Sequence, residues 1–224
     1  MPRGINIYKS IEFLLEKGVS FDMPSSAVAP PPSKYDLRRE AVVDIAAAVF
    51  AELGYHGAST SLIAERAGIR QGSLYYYFSS KEEALSEVCL KGVGDFLIGL
   101  DAIARSAAMP ERKLHAAILN HLRPVVERPD YVRTFITQRQ FLPDASRKSV
   151  GRQVRQYEKV LTELIRQGVA SRAFRDDLDC ELAALGLIGE CNAVFAWYGR
   201  RARGQSIERI ADAITARFLR GAQK

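Results

Sequence analysis

The sequence predicts an all-α protein, and three observations support that prediction. Apolar residues recur at spacings of three and four along most of the chain, which is the period of an amphipathic helix. No segment alternates apolar and polar residues as a strand does, and there is no internal repeat. Residues that favour helix starts and helix ends bracket the apolar stripes.

The composition is that of a water-soluble globular protein. Of 224 residues, 47% are hydrophobic and 26% are charged. No apolar run reaches the length needed to span a membrane, so we expect no membrane partner. The three cysteines make no paired motif and fit a reducing cytoplasm, where we expect the protein. The cysteines and histidines show no metal-ligand spacing, and no catalytic motif or phosphate-binding glycine loop is found. We therefore expect no enzyme activity, no metal and no cofactor.

Residues 1–34 precede the predicted core, and their role is open. A short helical stretch ending at Gly18 is followed by a segment rich in Pro, Ser and Ala. The segment is either a basic arm, through Arg3 and Lys9, for a polyanionic partner, or a disordered extension. An upstream start codon, with Met23 as the alternative start, would also explain it.

The first core helix is predicted over 36–53. Ser33 and Asp36 resemble a capping box, and Gly54 is expected to end the helix. Arg38 and Arg39 lie near its start. They are either phosphate contacts or solvated charges at a helix end, and the sequence leaves both possibilities open.

Residues 57–81 predict two short helices joined by a tight turn. Ser59 is predicted to cap the first helix, and Gly68 suits a left-handed turn position. The second helix, about Gln71 to Phe78, would turn Leu74 and Phe78 inward together.

The three consecutive tyrosines at 75–77 cannot all be buried, because they span most of a helical turn. We expect Tyr75 in the core and at least one of Tyr76 and Tyr77 facing outward. The whole pattern is a helix-turn-helix, whose second helix enters the major groove of DNA.

These residues resemble the DNA-binding signature of the tetracycline-repressor (TetR) family. The resemblance is close over 36–85, and elsewhere it concerns only the order of predicted helices. Thr60 and Arg70 differ from the residues that the family usually has at these positions. It rests on Ile63-Ala64, Ala67-Gly68-Ile69, Gly72-Ser73-Leu74-Tyr75, Tyr77-Phe78 and Ser80-Lys81. It implies a three-helix DNA-binding domain over 35–81 and a helical effector-binding and dimerisation domain over 82–224.

The docking mode implies which residues contact DNA. The resemblance assigns phosphate contacts to Ser73, Tyr76, Tyr77 and Lys81, and a basic arm would reach the minor groove. Arg70 and Gln71 can reach base edges, since arginine pairs with guanine and glutamine with adenine. The predicted DNA-binding residues are Ser59, Thr60, Arg70, Gln71, Gly72, Ser73, Tyr76, Tyr77 and Lys81.

The net charge of +6 is not concentrated in this domain. Residues 35–81 carry five basic and five acidic side chains, whereas 123–159 carry nine basic and four acidic ones. The second segment suits an anionic effector or is a solvated surface, and both interpretations stay open. Its cations include Arg123, Arg128, Arg133, Arg139, Arg147, Lys148, Arg152 and Arg155.

The remaining chain is predicted to be helical throughout. Ser80 and Glu83 predict a capping box for a helix that runs to about Ser106 and contains glycines at 92, 94 and 99. Those glycines serve either close packing or a soft point in the helix. Further helices are predicted from Pro110, over 131–142, over about 150–168, from about Asp179 and from Ser206.

Two further sets of residues are predicted in this region. The effector pocket, unless these side chains are only core, is expected at Phe96, Leu100, Ile118, His121, Tyr131, Phe135, Tyr157 and Trp197. The dimer interface is expected at Leu182, Gly186, Gly189, Ala193, Ile207, Ile210, Ile214 and Phe218. Residues 69–75, the turn at 174–179 and Trp197-Tyr198 are also similar to TetR regulators of lipid and sterol catabolism that bind acyl-CoA thioesters.

The predicted function is a transcriptional repressor that binds double-stranded operator DNA as a homodimer. A small-molecule effector, with an acyl-CoA-like anion as one candidate, would release it. The alternative is an effector-independent architectural or interaction protein that uses the same DNA-binding domain. Ligand-dependent loss of DNA binding separates the two.

Overall fold

The computed structural model describes residues 33–201 and 204–222, and the interpretations of the N-terminal segment concern residues outside these ranges. The predicted all-α class is confirmed, since the described residues form ten α-helices, one short 3-10 helix and no strand. The helices are α1 (Lys34–Gly57), α2 (Thr60–Arg66), α3 (Gln71–Leu74), α4 (Lys81–Arg105), α5 (Pro110–Leu122), α6 (Pro124–Glu127), α7 (Pro129–Gln138), α8 (Asp144–Ala170), α9 (Cys180–Arg201) and α10 (Ile207–Ala222), with the 3-10 helix at Arg139–Phe141.

The helices form two compact units that do not follow the order of the chain. Among the described residues, the first unit holds 33–94 and Arg128–Gln153, and the second holds Asp95–Glu127 and 154–222. Helices α4 and α8 therefore contribute residues to both units. Six of the eight cations named above belong to the first unit, which also contains the helix-turn-helix.

Helix α1 forms as the sequence predicts. The Ser33 side chain accepts a hydrogen bond from the Asp36 backbone N–H, and the Asp36 carboxylate accepts from the Ser33 N–H, which completes the capping box. Gly54 adopts φ 70°, a left-handed conformation that interrupts the helix there. The inward face is formed by Val42, Val43, Ala46, Ala47, Val49 and Phe50.

Helix α7 packs along α1 within the first unit. The Tyr131 hydroxyl donates to Asp44 at 2.6 Å, and the fully buried Thr134 donates to the Ala47 carbonyl at 3.1 Å. The Gln138 side-chain oxygen accepts from the Tyr55 N–H at 2.8 Å, beyond the break at Gly54. These polar contacts fix α7 against the scaffold of the helix-turn-helix.

The second unit is built around α5, which packs against α9 and α10. Its fully buried side chains include Leu100, Leu114 and Ile118. The turn after α8 is closed by Phe174, whose ring lies against Gly168. The Arg175 N–H donates to the Ala222 carbonyl at 2.6 Å, which ties this turn to the end of α10.

Two predicted helix starts differ in detail. Ser80 accepts from the Glu83 N–H at 3.1 Å, but the Glu83 carboxylate accepts from the N–H and hydroxyl of Ser79, so the predicted box is only half formed. Helix α8 begins at Asp144, directly after Pro143 and earlier than the apolar stripe indicates.

The glycines of α4 have different surroundings. A Cβ at Gly99 would lie 2.0 Å from the Asn120 side chain, so a larger residue would displace that side chain from its hydrogen bond to the Phe96 carbonyl. A Cβ at Gly92 would meet Tyr131 at 3.9 Å, an ordinary contact, and one at Gly94 would meet nothing within 4 Å. Close packing therefore explains Gly99 and leaves Gly94 without a packing reason.

One helix is more apolar than the sequence analysis allowed. Within the described residues, Cys180–Gly199 is long and apolar enough to cross a membrane by length and composition, with a mean hydropathy of 1.3. The expectation that no run reaches this length was wrong. In this segment 22% is buried inside the chain, other apolar residues such as Ile188 and Trp197 are partly buried, and Leu182 and Leu185 are exposed.

Candidate DNA-binding surface and effector cavity

The helix-turn-helix has the predicted turn geometry. The Ser59 hydroxyl accepts from the Leu62 N–H at 3.2 Å and caps α2. Gly68 has φ 64°, and the chain reverses there as the Ile69 N–H donates to the Ala64 carbonyl at 3.0 Å. The predicted cap and turn are confirmed.

The recognition segment is shorter than predicted. Regular α-helix covers only Gln71–Leu74, after which the N–H groups of Tyr76 and Tyr77 donate to carbonyls three residues back. This tightening of the last turn is a common way to satisfy a helix end. Leu74 and Phe78 are both buried as predicted, at 0% and 1% exposure.

The exposure of the three tyrosines differs from the prediction. Tyr76 is 79% exposed and Tyr75 is 52% exposed, so the expectation that Tyr75 lies in the core was wrong. Tyr77 is partly buried and stacks on Tyr35, with ring centroids 5.8 Å apart. Leu74 and Phe78 take the buried positions of this segment, and the tightened turn leaves Tyr75 outside.

The start of α3 presents its side chains to solvent. Arg70, Gln71 and Gly72 are all exposed, whereas Thr60 and Ser73 are partly buried. A Cβ at Gly72 would meet nothing within 4 Å. The packing of this protein therefore does not require glycine at position 72, and the exposed backbone can approach an external partner closely.

Lys81 has an internal role that the sequence did not indicate. Its ammonium donates to the Tyr55 carbonyl at 2.9 Å and the Ala58 carbonyl at 3.2 Å, and it lies 4.2 Å from the centre of the Tyr55 ring. The Tyr55 hydroxyl donates to the Glu82 carboxylate, which raises the pKa of Tyr55 and lowers that of Glu82. These two bonds leave the third ammonium donor unused.

A small cavity lies in the second unit. Its space is about 180 Å³ when the part open to solvent is included, and the enclosed part has room for about one water molecule. An effector of ordinary size must therefore enlarge it. The lining residues are Ala117, Ile118, His121, Tyr157, Leu161, Leu187, Ile188 and Cys191.

His121 holds the polar groups of this cavity together. Its Nδ1 lies 2.9 Å from the Tyr157 hydroxyl, and its Nε2 lies 3.2 Å from Oδ1 of Asn192. Burial lowers the pKa of His121 to about 4, so the imidazole is neutral at pH 7. Burial also raises the pKa of Tyr157 and keeps its hydroxyl protonated. The cavity thus offers neutral hydrogen-bonding groups on an apolar wall.

The predicted pocket residues fall into three groups. Ile118, His121 and Tyr157 line the cavity, and the Phe96 ring packs 5.3 Å from His121. Leu100 and Trp197 belong to the same apolar cluster without lining the cavity. Tyr131 and Phe135 are corrected, because both lie on α7 in the first unit, where Tyr131 is bonded to Asp44.

Sequence reasoning missed Asn192, the polar residue on α9 that contacts His121. Its signal was an amide side chain among the small and apolar residues of 183–196.

The predicted dimer residues also divide. Leu182, Gly186, Gly189 and Ala193 are exposed on α9, with Leu182 at 65%. Ile207, Ile210 and Ile214 are buried in the core of their own unit, so the expectation that they face a partner is corrected. Phe218 is partly buried and packs edge-on against Phe174 at 5.9 Å.

The geometry of the first unit defines a class of protein, a helix-turn-helix transcriptional regulator that binds DNA. Comparison with known families gives the particular one. Residues 42–88 match the family "Bacterial regulatory proteins, tetR family", and residues 107–222 match "Tetracyclin repressor-like, C-terminal domain". The chain belongs to the TetR family of transcriptional regulators, which are not enzymes.

Similar proteins include regulators of lipid metabolism. "HTH-type transcriptional repressor KstR2" of Mycolicibacterium smegmatis is 31% identical over 67% of this chain and 74% of its own length. "Fatty acid metabolism regulator protein" of Bacillus subtilis is 27% identical over 66% of this chain and 76% of its own length. The resemblance to lipid and sterol regulators is confirmed at the level of these relatives.

Solved structures show the same fold. The ketosteroid regulator KstR2 of Mycobacterium tuberculosis has a TM-score of 0.75 at 26% identity and covers 88% of this chain and 100% of its own. AibR in complex with isovaleryl coenzyme A and operator DNA has a TM-score of 0.71 at 21% identity. That likeness covers 80% of this chain and 97% of AibR and concerns the fold alone.

Proposed function

We propose that this cytoplasmic regulator is a repressor that an effector releases from its operator. The observation that carries the DNA-binding part is the exposed row Arg70, Gln71 and Gly72 on a buried Leu74–Phe78 anchor. The two exposed cation and amide side chains can reach base edges, and the bare backbone at position 72 permits close approach. Thr60, Ser73, Tyr76, Tyr77 and Lys81 then supply the proposed contacts around that row.

We propose that the effector is an acyl-CoA-like thioester. The cavity wall is apolar apart from the neutral His121 and Tyr157, which suits an acyl chain with one uncharged polar group. A free carboxylate would be disfavoured there, since the imidazole carries no compensating charge. The names of the fatty-acid and ketosteroid regulators, and the isovaleryl coenzyme A bound by AibR, support this class of ligand.

The proposed homodimer rests on the uncovered face of α9. Leu182 and Leu185 are 65% and 45% exposed, and Gly186, Gly189 and Ala193 continue the same side of the helix with small residues. Such a face permits close approach of a second helix. Two helix-turn-helix units at a fixed spacing would then read two half-sites of one operator.

A mobility-shift titration with operator DNA tests the proposal. We expect acyl-CoA thioesters to release the protein, with the matching free fatty acids and coenzyme A as controls that do not. His121→Leu should weaken the response at least about tenfold, equivalent to 1.4 kcal/mol. His115→Leu, on the same helix but paired with Asp212 at 2.9 Å outside the cavity lining, should respond like the wild type.

The effector-independent alternative makes the opposite prediction. If no thioester, acid or coenzyme A changes the affinity for operator DNA, the protein acts as an architectural or interaction protein. If His121→Leu and His115→Leu lose the response equally, the effector does not bind in this cavity. Release of the protein from DNA by a ligand would still stand.

A further inference from the structure

We propose that the DNA-binding surface extends beyond the helix-turn-helix onto the first turns of α1. Lys34, Tyr35 and Arg38 form this extension, here called the α1 rim, and its partner is the phosphate backbone of DNA. The inference rests on the proposed docking of α3 in the major groove. It adds contacts outside the motif, which position the protein on any sequence rather than select one.

Tyr35 joins the α1 rim to the recognition segment. Its hydroxyl donates to the Tyr76 carbonyl at 3.2 Å, and its ring stacks on Tyr77 with an interplanar angle of 22°. Both partners belong to the proposed phosphate contacts. The start of α1 therefore lies beside the exit of the recognition segment, so a strand that contacts Tyr76 passes within reach of the rim.

The side chains of the rim point outward on one side of α1. Lys34, Tyr35 and Arg38 are all exposed, with Tyr35 at 52%. Residues one turn apart, such as 34 and 38, are neighbours on a helix surface. Neither Lys34 nor Arg38 forms an ion pair or a side-chain hydrogen bond with any residue in the described ranges.

The adjacent residue Arg39 differs from Arg38 in having an ion-pair partner. Its guanidinium is paired with Glu87 of α4 at 2.7 Å, and its side chain is only 35% exposed. Arg39 thus ties α1 to α4, whereas Arg38 is exposed and has no ion pair with a residue in the described ranges. The ion pair gives Arg39 a structural role, and the proposal assigns the phosphate contact to Arg38.

The carboxylates of Asp36, Glu83 and Glu87 all have partners other than the rim cations. The Asp36 carboxylate accepts from the N–H and hydroxyl of Ser33, and the Glu83 carboxylate accepts from Ser79. Glu87 is held by Arg39. No acidic residue in the described ranges is bonded to Lys34 or Arg38, and these two cations complement a polyanion rather than a neighbouring carboxylate.

The test compares Arg38→Gln with Arg39→Gln by measuring DNA affinity against salt concentration. Neutralising one phosphate contact should lower the slope of log K against log salt by about 0.9. We expect this change for Arg38→Gln, on operator and non-operator DNA alike, with an unchanged melting temperature. Arg38→Lys should retain the wild-type slope. Arg39→Gln should keep the slope and lower the melting temperature.

Each outcome decides the inference. A wild-type salt slope for Arg38→Gln would overturn it, as would a slope change in Arg39→Gln alone. Tyr35→Phe, which removes only the hydrogen bond to the Tyr76 carbonyl, should weaken binding without changing the slope. If the wild-type protein retains no DNA, the proposed function itself fails. If both arginine variants bind DNA like the wild type, only the α1 rim is rejected.

Discussion

Single side chains at the DNA-binding surface have separable tasks. Tyr76 is 79% exposed and its ring has no aromatic partner in the described ranges, whereas Lys81 donates to the carbonyls of Tyr55 in α1 and Ala58 after it. Gln71 is exposed at the start of α3, where base edges are read. Their substitution should therefore affect binding, stability and sequence preference in different combinations.

Tyr76→Ala should weaken binding to all DNA sequences and leave the melting temperature unchanged. Lys81→Ala should weaken binding, reduce the salt slope by about one and also lower the melting temperature. Gln71→Ala should mainly alter sequence preference. Mobility shifts and thermal melts of the three variants measure this. An unchanged affinity and slope for Lys81→Ala would remove it from the phosphate contacts.

His121 should make the stability of the protein depend on pH. Its pKa is about 4 in the folded protein and about 6.5 when unfolded, so unfolding takes up a proton between those values. The free energy of unfolding is therefore highest above about pH 6.5 and decreases as pH falls towards 4. The slope of this decrease is at most about 1.4 kcal/mol per pH unit. Denaturant unfolding between pH 5 and 7 measures this slope.

His121→Gln supplies the control for the pH dependence, since its amide does not titrate. The slope between pH 5 and 6.5 should decrease in this variant. Carboxylates with lowered pKa values, such as Glu52 and Glu83, affect stability mainly below their unfolded pKa of 4.5. They therefore contribute little to the slope between pH 5 and 6.5. Parallel curves for variant and wild type would show that His121 titrates normally.

Local chemistry made many residue positions predictable. Ser59, Gly68 and the Leu74–Phe78 pair follow from capping, left-handed backbone and helical period, and each lies where it was expected. Tyr75 was misplaced because the segment leaves regular helix after Leu74, which periodicity does not reveal. The hydrogen bond from Tyr131 to Asp44 joins residues 87 apart in the sequence, and no local pattern predicts it.

At the level of whole elements, the presence of each long helix was easier to predict than the helix it packs against. All the long helices were expected, but α7 packs on α1 within the first unit and not around the cavity. Its apolar stripe indicates a buried face without indicating what covers it. This is why Tyr131 and Phe135 were assigned to the pocket, whereas Ile118, His121 and Tyr157 line the cavity.

The end of α8 depends on a close contact that only glycine permits. A Cβ at Gly168 would lie 2.2 Å from the Phe174 ring, which is itself buried. Gly168→Ala should therefore destabilise the protein by about 1–3 kcal/mol through overpacking. Gly94→Ala is the matched control, since its Cβ would meet nothing within 4 Å, and it should stabilise by about 0.5–1 kcal/mol. Denaturant unfolding that shows equal effects would contradict the packing account.

For the whole molecule, the exposed face of α9 should hold the homodimer together. Leu185→Asp places a charge on that face without disturbing a buried side chain, so it should give folded monomers with reduced operator affinity. Ile214 is 3% exposed, so Ile214→Asp should instead lower the melting temperature sharply. Light scattering and thermal melts distinguish the two. A monomeric wild type at micromolar concentration would contradict the proposed interface.

The most direct measurement is to sequence the DNA that the purified full-length protein retains from a random pool. A TetR-type regulator that reads DNA through two copies of α3 should enrich one motif with two inverted half-sites at a fixed spacing. Arg70→Ala and Gln71→Ala should change the bases within each half-site and leave the spacing unchanged. Retained DNA with no shared motif, or with a motif that these two variants do not alter, would contradict the account.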